Sequence, residues 1–352
     1  MSQLLMSQQA LKLHVSPTLK PQLLPSLRSS FLSSTFTVPT LGVRTEPLGT
    51  GLKVGSGGVL RRKMTMAALP GLMPHPDSTL LYVMEFFLAA SGPLQMHSEA
   101  TGKKNMNYSK FAGADGSKQA MVPSRTGMFF CYFPAAVAAT VFLAYIVGLL
   151  PLASILESVG ASGVASFLQH ALTASDDRLL LVAAALSIHH VKRCLEVLFV
   201  HKPSGSTGID AVTVISSSYL SQTCLLLYSQ LLSAGTESQT PNLQYLGVAL
   251  FLTGIAGNAY HHWKLAHLRK DGSKSYVVPR GGLFEIFVCP HYVFEMVDYV
   301  GVALISQTLF GWCMASFTIF YLTGRSIATK DWYKKKVDGF PEDRSVVIPG
   351  IF

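Results

Sequence analysis

The residues best suited to chemistry lie in the apolar segment 278–294 and directly after it. A Pro-Arg-Gly-Gly turn leads into an apolar run that contains His291, Tyr292 and then Glu295. Titratable side chains are costly to keep in so apolar a setting, so they indicate a functional site. His291 and Glu295 are four residues apart and would share one face of a helix. For Tyr292, aromatic packing is the alternative to a chemical role.

A second polar stripe lies at the end of the preceding apolar run. On a continuous helix, Asn258, His262 and Arg269 fall within about 40° of one another. An amide, an imidazole and a guanidinium on one face suit a long ligand that carries phosphate, because arginine pairs with phosphate through two hydrogen bonds. The alternative is a helix at the membrane edge whose cations lie among lipid headgroups.

The segment 189–202 is a third polar group inside apolar sequence. His189, Lys192 and Glu196 would share a helical face, and the lysine and glutamate are spaced to pair at i, i+4. Adjacent histidines point about 100° apart on a helix, so His189 and His190 do not form a chelating pair. The same holds for the second histidine pair of the chain. We therefore predict no metal site.

The composition indicates an integral membrane protein. Of 352 residues, 49% are hydrophobic and 13% charged, and the mean hydropathy is +0.36. A soluble domain usually carries about 25% charged residues. The net charge of +9 lies in short basic clusters beside apolar runs, which is the positive-inside pattern and not a nucleic-acid-binding face. The five cysteines show no zinc spacing and are expected to be buried free thiols.

Apolar runs close to the 20 or so residues that cross a bilayer set the expected architecture. They cover residues 78–96, 127–155, 179–200, 211–234, 243–260, 283–305 and 308–322. The chain is therefore predicted to be all-α, a multi-pass transmembrane bundle of six or seven helices. A Rossmann domain is excluded, because no G-x-G-x-x-G follows a strand.

Residues 1–69 differ from the rest of the chain. They are basic, rich in Ser, Leu, Thr and Pro, and contain a single acid, Glu46. This composition predicts a disordered leader and is typical of an organellar transit peptide. The alternatives are a plain disordered extension and a protein that begins at Met64 or Met66.

The polar motifs resemble the carboxyl-terminal domain of the steroid 5α-reductase family, which includes trans-2-enoyl-CoA reductases and polyprenol reductases. The resemblance runs from about residue 258 to residue 352, with a second patch at 189–202. The tail is similar to the family's terminal R…WY…YP…R…IP pattern. Its matching residues are Arg325, Trp332-Tyr333, Phe340-Pro341, Arg344 and Ile348-Pro349.

By this resemblance, residues 78–352 form a membrane reductase domain, and residues 243–352 are its steroid 5α-reductase-like region. The cofactor is expected to be NADPH. Its expected ligands are Asn258, His262, Arg269, Tyr276, His291, Glu295, Arg325, Tyr333 and Arg344. His262 stands where many steroid-reducing members have Asp, and Thr329 stands where family members usually have His.

The resemblance also implies which groups act on the substrate. Tyr292, with Lys192 nearby, is expected to be the donor pair. Tyr132 and His190 take the positions at which steroid-reducing members carry a Glu and a Tyr that hold the steroid ketone. Both can still donate a hydrogen bond to a carbonyl oxygen.

The implied activity is NADPH-dependent reduction of a carbonyl-conjugated C=C bond in a lipid, as in the reduction of a 3-oxo-Δ4 steroid. The alternatives are a trans-2-enoyl-CoA reductase of fatty acid elongation and a non-catalytic lipid-binding or scaffold protein. The expected partners are a lipid or steroid substrate and the membrane, without nucleic acid or metal. The expected location is the endoplasmic reticulum membrane, or a plastid membrane if residues 1–69 are a transit peptide.

Overall fold

The computed structural model describes residues 71–102, 105–112, 120–203, 205–236, 241–268 and 276–349. The predicted leader, residues 1–69, lies outside the described residues, and so does the candidate cofactor ligand Arg269. All described residues belong to one structural unit, which runs from residue 63 to residue 352.

Most of the described residues are helical. The α-helices are α1 Thr79–Ala100, α2 Ser124–Ile146, α3 Leu152–Ser158, α4 Ser162–Ala174, α5 Asp177–Leu195, α6 Ile209–Leu232, α7 Gln244–His267, α8 Pro290–Ser306 and α9 Leu309–Lys336. A π-helical turn, Glu196–Val200, extends α5, and 3-10 turns cover Ser109–Phe111 and Gly282–Glu285. The strands are β1 Met121–Pro123 and β2 Ser206–Gly208.

The described residues contain nine α-helices, whereas the sequence predicted six or seven. The predicted span 127–155 is interrupted, because α2 ends at Ile146 and Gly148 adopts a φ of 76° in the turn that follows. Pro151, which has no N–H to donate, then precedes α3. The short helices α3 and α4 fill the stretch up to α5, where the sequence analysis assigned no separate helix.

The mainly helical class is confirmed, but the expectation of an all-α domain is wrong at one place. β1 and β2 pair antiparallel, with Val122 opposite Thr207. Both strands lie directly before a helix, so the ladder joins the starts of α2 and α6.

Two of the described helices, α2 and α6, are long and apolar enough to cross a membrane by length and composition. The other long helices carry more polar residues, many of which are buried. The multi-pass arrangement predicted from the sequence therefore stays a prediction.

Glycines let α7 and α8 approach to backbone contact. A Cβ added at Gly254 would lie 2.5 Å from the backbone nitrogen of Asp298, and one at Gly247 would lie 2.6 Å from the carbonyl oxygen of Gly301. These distances are shorter than a real Cβ contact, so only glycine permits this separation of the two helices. The close approach places polar residues of α7 beside polar residues of α8.

A buried ion pair joins α1 to α9. The Arg325 Nη1 lies 2.9 Å from Glu99 Oε2, and the two side chains are 1% and 0% exposed. Arg325 also donates to the carbonyl oxygens of Met106 at 3.3 Å and Tyr108 at 3.0 Å. One guanidinium therefore fixes two helices and loop 105–112.

We predict that Gly254→Ala lowers the free energy of unfolding by about 1–3 kcal/mol, because the methyl group must push α8 away. Gly163→Ala is the matched control, since its added Cβ would meet no atom within 4 Å in α4. That control should be neutral or slightly stabilising. Thermal unfolding of the detergent-solubilised protein measures both. Equal melting temperatures for the two variants would contradict the prediction.

We also predict that Glu99→Gln costs about 3–5 kcal/mol of stability, because it leaves the Arg325 charge buried without its counter-charge. The control is Glu342→Gln, which removes the exposed Lys334–Glu342 pair at 2.8 Å. Exposed pairs contribute little, so the melting temperature of this control should stay that of the parent. A Glu99→Gln variant as stable as the control would show that the buried pair does not hold α1 to α9.

Candidate functional site

A cavity of about 310 Å³ lies between loop 105–112, α2, α5, α6, α7, α8 and α9. This volume is at the lower end of the range of small-molecule sites. Most of the predicted site residues lie in its wall. They are Tyr132, His262, Tyr276, His291, Tyr292, Glu295, Arg325 and Tyr333.

The start of α8 presents two of these residues to the cavity. Pro290 occupies the first helical position, where a missing N–H costs nothing, so His291 and Tyr292 lie in the first turn. Their ring centroids are 4.3 Å apart. The His291 Nδ1 atom is buried and has no hydrogen-bond partner among the described residues. A ligand in the cavity would supply that partner.

Lys192 and Asn258 connect three helices behind the wall. The Lys192 ammonium contacts Asn258 Oδ1 and lies 3.0 Å from Glu196 Oε1, which confirms the predicted i, i+4 pair. Asn258 Nδ2 donates to the carbonyl oxygen of His291 at 2.8 Å and lies 3.3 Å from Glu295 Oε2. Of the predicted donor pair, the structure thus brings Tyr292 to the wall, whereas Lys192 is not among the described lining residues.

His190 is buried one layer behind the cavity. Its Nε2 lies 3.0 Å from Thr223 Oγ1, and its ring packs edge-on against Tyr219, which lines the wall. The described lining residues do not include His190. It therefore supports the wall through Tyr219.

Arg193 is the centre of the polar wall, and the sequence analysis did not select it. Its side chain is buried, with Nη2 donating to Tyr132 Oη at 2.7 Å and Nη1 donating to Glu196 Oε2 at 2.8 Å. The Nδ1 of His262 lies 2.9 Å from Nη1. The sequence did contain a signal for Arg193, because it is a second cation beside Lys192 in an apolar segment. A cation in such a segment is expected to have buried polar partners.

Glu196, His201 and His262 offer ligand atoms within 4.8 Å of one another and could hold a metal ion. The π-helical turn after α5 brings His201 back toward Glu196, and its backbone N–H donates to the Glu196 carbonyl at 2.7 Å. Arg193 already neutralises the carboxylate, which disfavours a second cation there. Burial, with Arg193 nearby, lowers the pKa of His201 to about 4, so this imidazole is neutral at physiological pH.

Lys110 enters the cavity from loop 105–112. Its ammonium lies 4.9 Å from the ring centroid of Tyr333 and 5.6 Å from that of Trp332. Burial, with a smaller contribution from the nearby Arg325 charge, lowers the pKa of Lys110 to about 8. The group is therefore a cation whose charge changes just above neutral pH.

Arg344 is not among the described residues that line the cavity. Its Nη1 donates to the carbonyl oxygen of Pro279 at 2.8 Å, and its Nη2 lies 3.4 Å from Glu285. The Gly281 backbone N–H, which donates to Glu285 at 2.6 Å, holds the pKa of that carboxyl below its usual value. Arg344 thus fixes the turn that precedes α8, whereas Tyr276 and Tyr333 reach the wall.

Several other tyrosines that line the cavity were not predicted. Tyr108 and Tyr321 share a hydrogen bond of 2.8 Å between their hydroxyls, and Tyr219 packs 5.2 Å from Tyr132. Tyr108 comes from a loop, and no sequence pattern shows that this loop folds back onto α9. Tyr219 and Tyr321 lie within apolar runs, where a tyrosine that packs and one that lines a site look the same.

Comparison with known proteins identifies the region that holds most of this wall. Residues 211–352 match the family model described as 3-oxo-5-alpha-steroid 4-dehydrogenase. The match includes α6 to α9 and the tail.

Three relatives have similar sequences. The human 3-oxo-5-alpha-steroid 4-dehydrogenase 1 is 37% identical over 107 residues, which are 30% of this chain and 41% of the relative. A very-long-chain enoyl-CoA reductase of Dictyostelium discoideum is 32% identical over 165 residues, or 46% of this chain and 55% of the relative. A steroid 5-alpha-reductase of Gossypium hirsutum is 36% identical over 107 residues, or 30% and 42%.

The matched segments span about half the length of these relatives or less. These relatives are steroid 5α-reductases and an enoyl-CoA reductase, as the sequence motifs predicted. The predicted resemblance is therefore confirmed. Residues 211–352 of this chain are therefore similar to the steroid 5α-reductase family.

Proposed function

We propose that the protein is a membrane reductase that uses NADPH to reduce a C=C bond conjugated to a carbonyl group in a lipid. The observation that carries this proposal is the cavity, because residues predicted separately from distant motifs meet in its wall. Tyr132, His262, Tyr292 and Arg325 come from four different helices. The family match over residues 211–352 supports the same activity.

The donor set of the wall suits a phosphorylated dinucleotide. Lys110 and Lys202 supply cations that attract phosphate, and Tyr276 and Tyr333 supply aromatic rings and hydroxyls. The unpartnered His291 Nδ1 supplies a further polar contact. We propose that these residues hold NADPH. Arg344 would act indirectly, through the turn at Pro279.

When bound, NADPH supplies the hydride that the β-carbon of the substrate accepts. Negative charge then develops on the carbonyl oxygen, and the α-carbon must receive a proton. The protein needs a hydrogen-bond donor for the oxygen and an acid for the carbon. Tyr292 and Tyr132 line the cavity, and their hydroxyl groups can serve as this hydrogen-bond donor and this acid.

A smaller, mainly apolar cavity of about 110 Å³ supports a lipid substrate. It shares four residues with the main cavity, namely Tyr219, Glu295, Tyr321 and Leu322. Val214 and Phe317 continue it between α6 and α9. Its mainly apolar lining suits an apolar ring system or chain beside the reacting carbonyl.

We further propose that the protein is a multi-pass protein of the endoplasmic reticulum membrane, or of a plastid membrane if residues 1–69 direct it there. The apolar helices α2 and α6 support insertion. Large apolar side chains on α1 also face outward, with Phe86 77% and Leu94 71% exposed. A membrane would cover such side chains, which in water would form an apolar patch.

A 3-oxo-Δ4 steroid and a trans-2-enoyl-CoA are the two substrate classes to compare. The Dictyostelium relative supports an enoyl-CoA substrate. Its alignment covers more of this chain than the alignment of the human steroid enzyme does. Membranes containing the full chain should be incubated with NADPH and each substrate, and the products resolved by mass. A gain of two hydrogens on one substrate supports the proposal. Saturable lipid binding without NADPH binding or turnover would favour a scaffold.

We predict that Tyr292→Phe lowers turnover roughly 10²–10³-fold at saturating NADPH, because the ring is kept while a donor to the reacting atoms is lost. Turnover should be measured with the substrate reduced by the parent. Tyr145→Phe, at the far end of α2, is the control and should keep parental turnover. Turnover of Tyr292→Phe within a few-fold of the parent would mean that this hydroxyl only packs.

We predict that NADPH affinity falls as pH rises from 7 to 9. Lys110, with a pKa of about 8, is charged below this range and mostly neutral above it, so its attraction for phosphate is lost as pH rises. One pH unit above the pKa, about one tenth of the Lys110 side chains are still charged. The loss of NADPH affinity is therefore limited to about tenfold. Titration calorimetry at the two pH values measures it.

Lys110→Arg is the matched variant, because a guanidinium stays charged across the whole range. Its NADPH affinity should be nearly independent of pH. Lys110→Met should bind NADPH weakly at both values. A parental pH dependence that persists in Lys110→Arg would assign the titration to another group.

A further inference from the structure

The smaller cavity has a buried amide in its mainly apolar lining. Gln222 of α6 belongs to this lining and is 7% exposed. Its Nε2 donates to Ser218 Oγ at 2.7 Å, whereas its Oε1 is buried without a hydrogen-bond partner among the described residues. A buried amide oxygen without a donor costs free energy that a suitable ligand recovers. Gln222 therefore marks a place at which a ligand can bind.

Two other polar side chains of the same lining are already bonded elsewhere. The Thr318 hydroxyl donates to the carbonyl oxygen of Met314, in its own helix, at 3.0 Å. The Tyr321 hydroxyl lies 2.8 Å from the Tyr108 hydroxyl, with which it shares a hydrogen bond. Neither bond supplies a donor to the Gln222 oxygen, so this position is left for a ligand.

The position of Gln222 on α6 connects it to the main cavity. Tyr219 and Glu295 line both cavities, so a ligand that extends from the main cavity reaches the smaller one. At 1.5 Å per residue, Gln222 lies about 4.5 Å farther along α6 than Tyr219 and on the same face. The terminal torsion of a glutamine side chain is broad, so a rotation turns the free oxygen toward such a ligand.

A hydroxyl group is the ligand chemistry that fits this amide. Its proton bonds to Gln222 Oε1, and its oxygen accepts from the amide N–H when the two ends of the amide exchange places. A hydrocarbon offers neither bond and leaves the amide oxygen without a donor. A charged group would lose its hydration in so apolar a lining, which costs far more than one hydrogen bond returns.

We propose that Gln222 is a specificity-determining residue that binds a hydroxyl group of the lipid substrate, away from the carbonyl-conjugated double bond. The substrate class is therefore a hydroxylated lipid. The inference rests on the proposed function for the reacting end of that lipid. A hydroxysteroid and a hydroxylated acyl chain share this chemistry, and the experiment below separates them. Gln222 only binds, so no covalent bond to it is made or broken.

Two pairs of lipids test the proposal on the detergent-solubilised full chain. One pair is a 3-oxo-Δ4 steroid with and without a hydroxyl on the ring farthest from its ketone. The other is a long-chain trans-2-enoyl-CoA with and without a hydroxyl at the end of the chain. Binding is titrated without NADPH, so that no substrate is consumed. In one or both pairs, the parent should bind the hydroxylated member about tenfold tighter, as one net hydrogen bond to a buried group allows.

Gln222→Leu, which keeps the size of the side chain but removes its polar atoms, should bind both members of each pair about equally. The matched control is Gln230→Leu, the same substitution two turns farther along α6. Gln230 Nε2 donates to the carbonyl oxygen of Ser306 at 3.0 Å, and Gln230 is not among the described lining residues of either cavity. This control should keep the preference but lower the melting temperature, because it leaves a buried carbonyl without its donor.

The melting temperature without lipid separates a binding role from a structural one. Gln222→Leu removes a buried oxygen that has no partner, so its melting temperature should not fall below that of the parent. A lower melting temperature together with an unchanged preference would make Gln222 structural and overturn the inference.

The same result would follow from equal binding of both members of each pair by the parent. A parent that reduces lipids without this preference would contradict the inference and leave the proposed function standing. A parent that prefers hydroxylated lipids but reduces none with NADPH would contradict the proposed function and leave this binding role standing. A preference confined to one pair assigns the hydroxyl to a steroid or to an acyl chain.

Discussion

The close approach of α7 and α8 is the constraint on which the candidate site depends. Gly254 and Gly301 remove the side chains that would otherwise separate the two backbones. At this separation the amide of Asn258 reaches both the backbone of α8 and Glu295. A wider spacing would leave these buried polar groups without partners, and such groups cost about 1–3 kcal/mol each. Packing at small residues and polar pairing therefore support each other.

Buried charge also fixes other parts of the bundle. Arg325 binds Glu99, and Arg193 binds Glu196, in each case with the side chains almost fully buried. A buried ion pair contributes little net stability relative to an apolar pair, but it is very sensitive to the loss of one partner. The Arg325–Glu99 pair penalises displacement of α1 against α9, and Arg193 joins α5 to α7 through His262. Their value here lies in specifying one geometry for the wall of the cavity.

The cavity combines two kinds of wall. One end carries Lys110, Lys202 and the aromatic tail of α9, where a polyanion would be neutralised. The other end leads into the smaller apolar cavity beside Phe317. Tyr132 and Tyr292 also line the main cavity. This combination suits the proposed reaction, in which a charged cofactor meets an apolar substrate.

The sequence by itself determined the helical class, because long apolar runs leave the backbone few ways to satisfy its hydrogen bonds except within helices. It also indicated the resemblance to the steroid 5α-reductase family, since the spacing of His291, Glu295 and the tail motif is local information. Only the tertiary structure decided which polar residues face the cavity. Lys192 and Arg193 are neighbours in the chain, yet one lies behind the wall and the other within it. Loop 105–112 contributes Lys110 because Arg325 binds the loop backbone, a contact across more than 200 residues that no local pattern records.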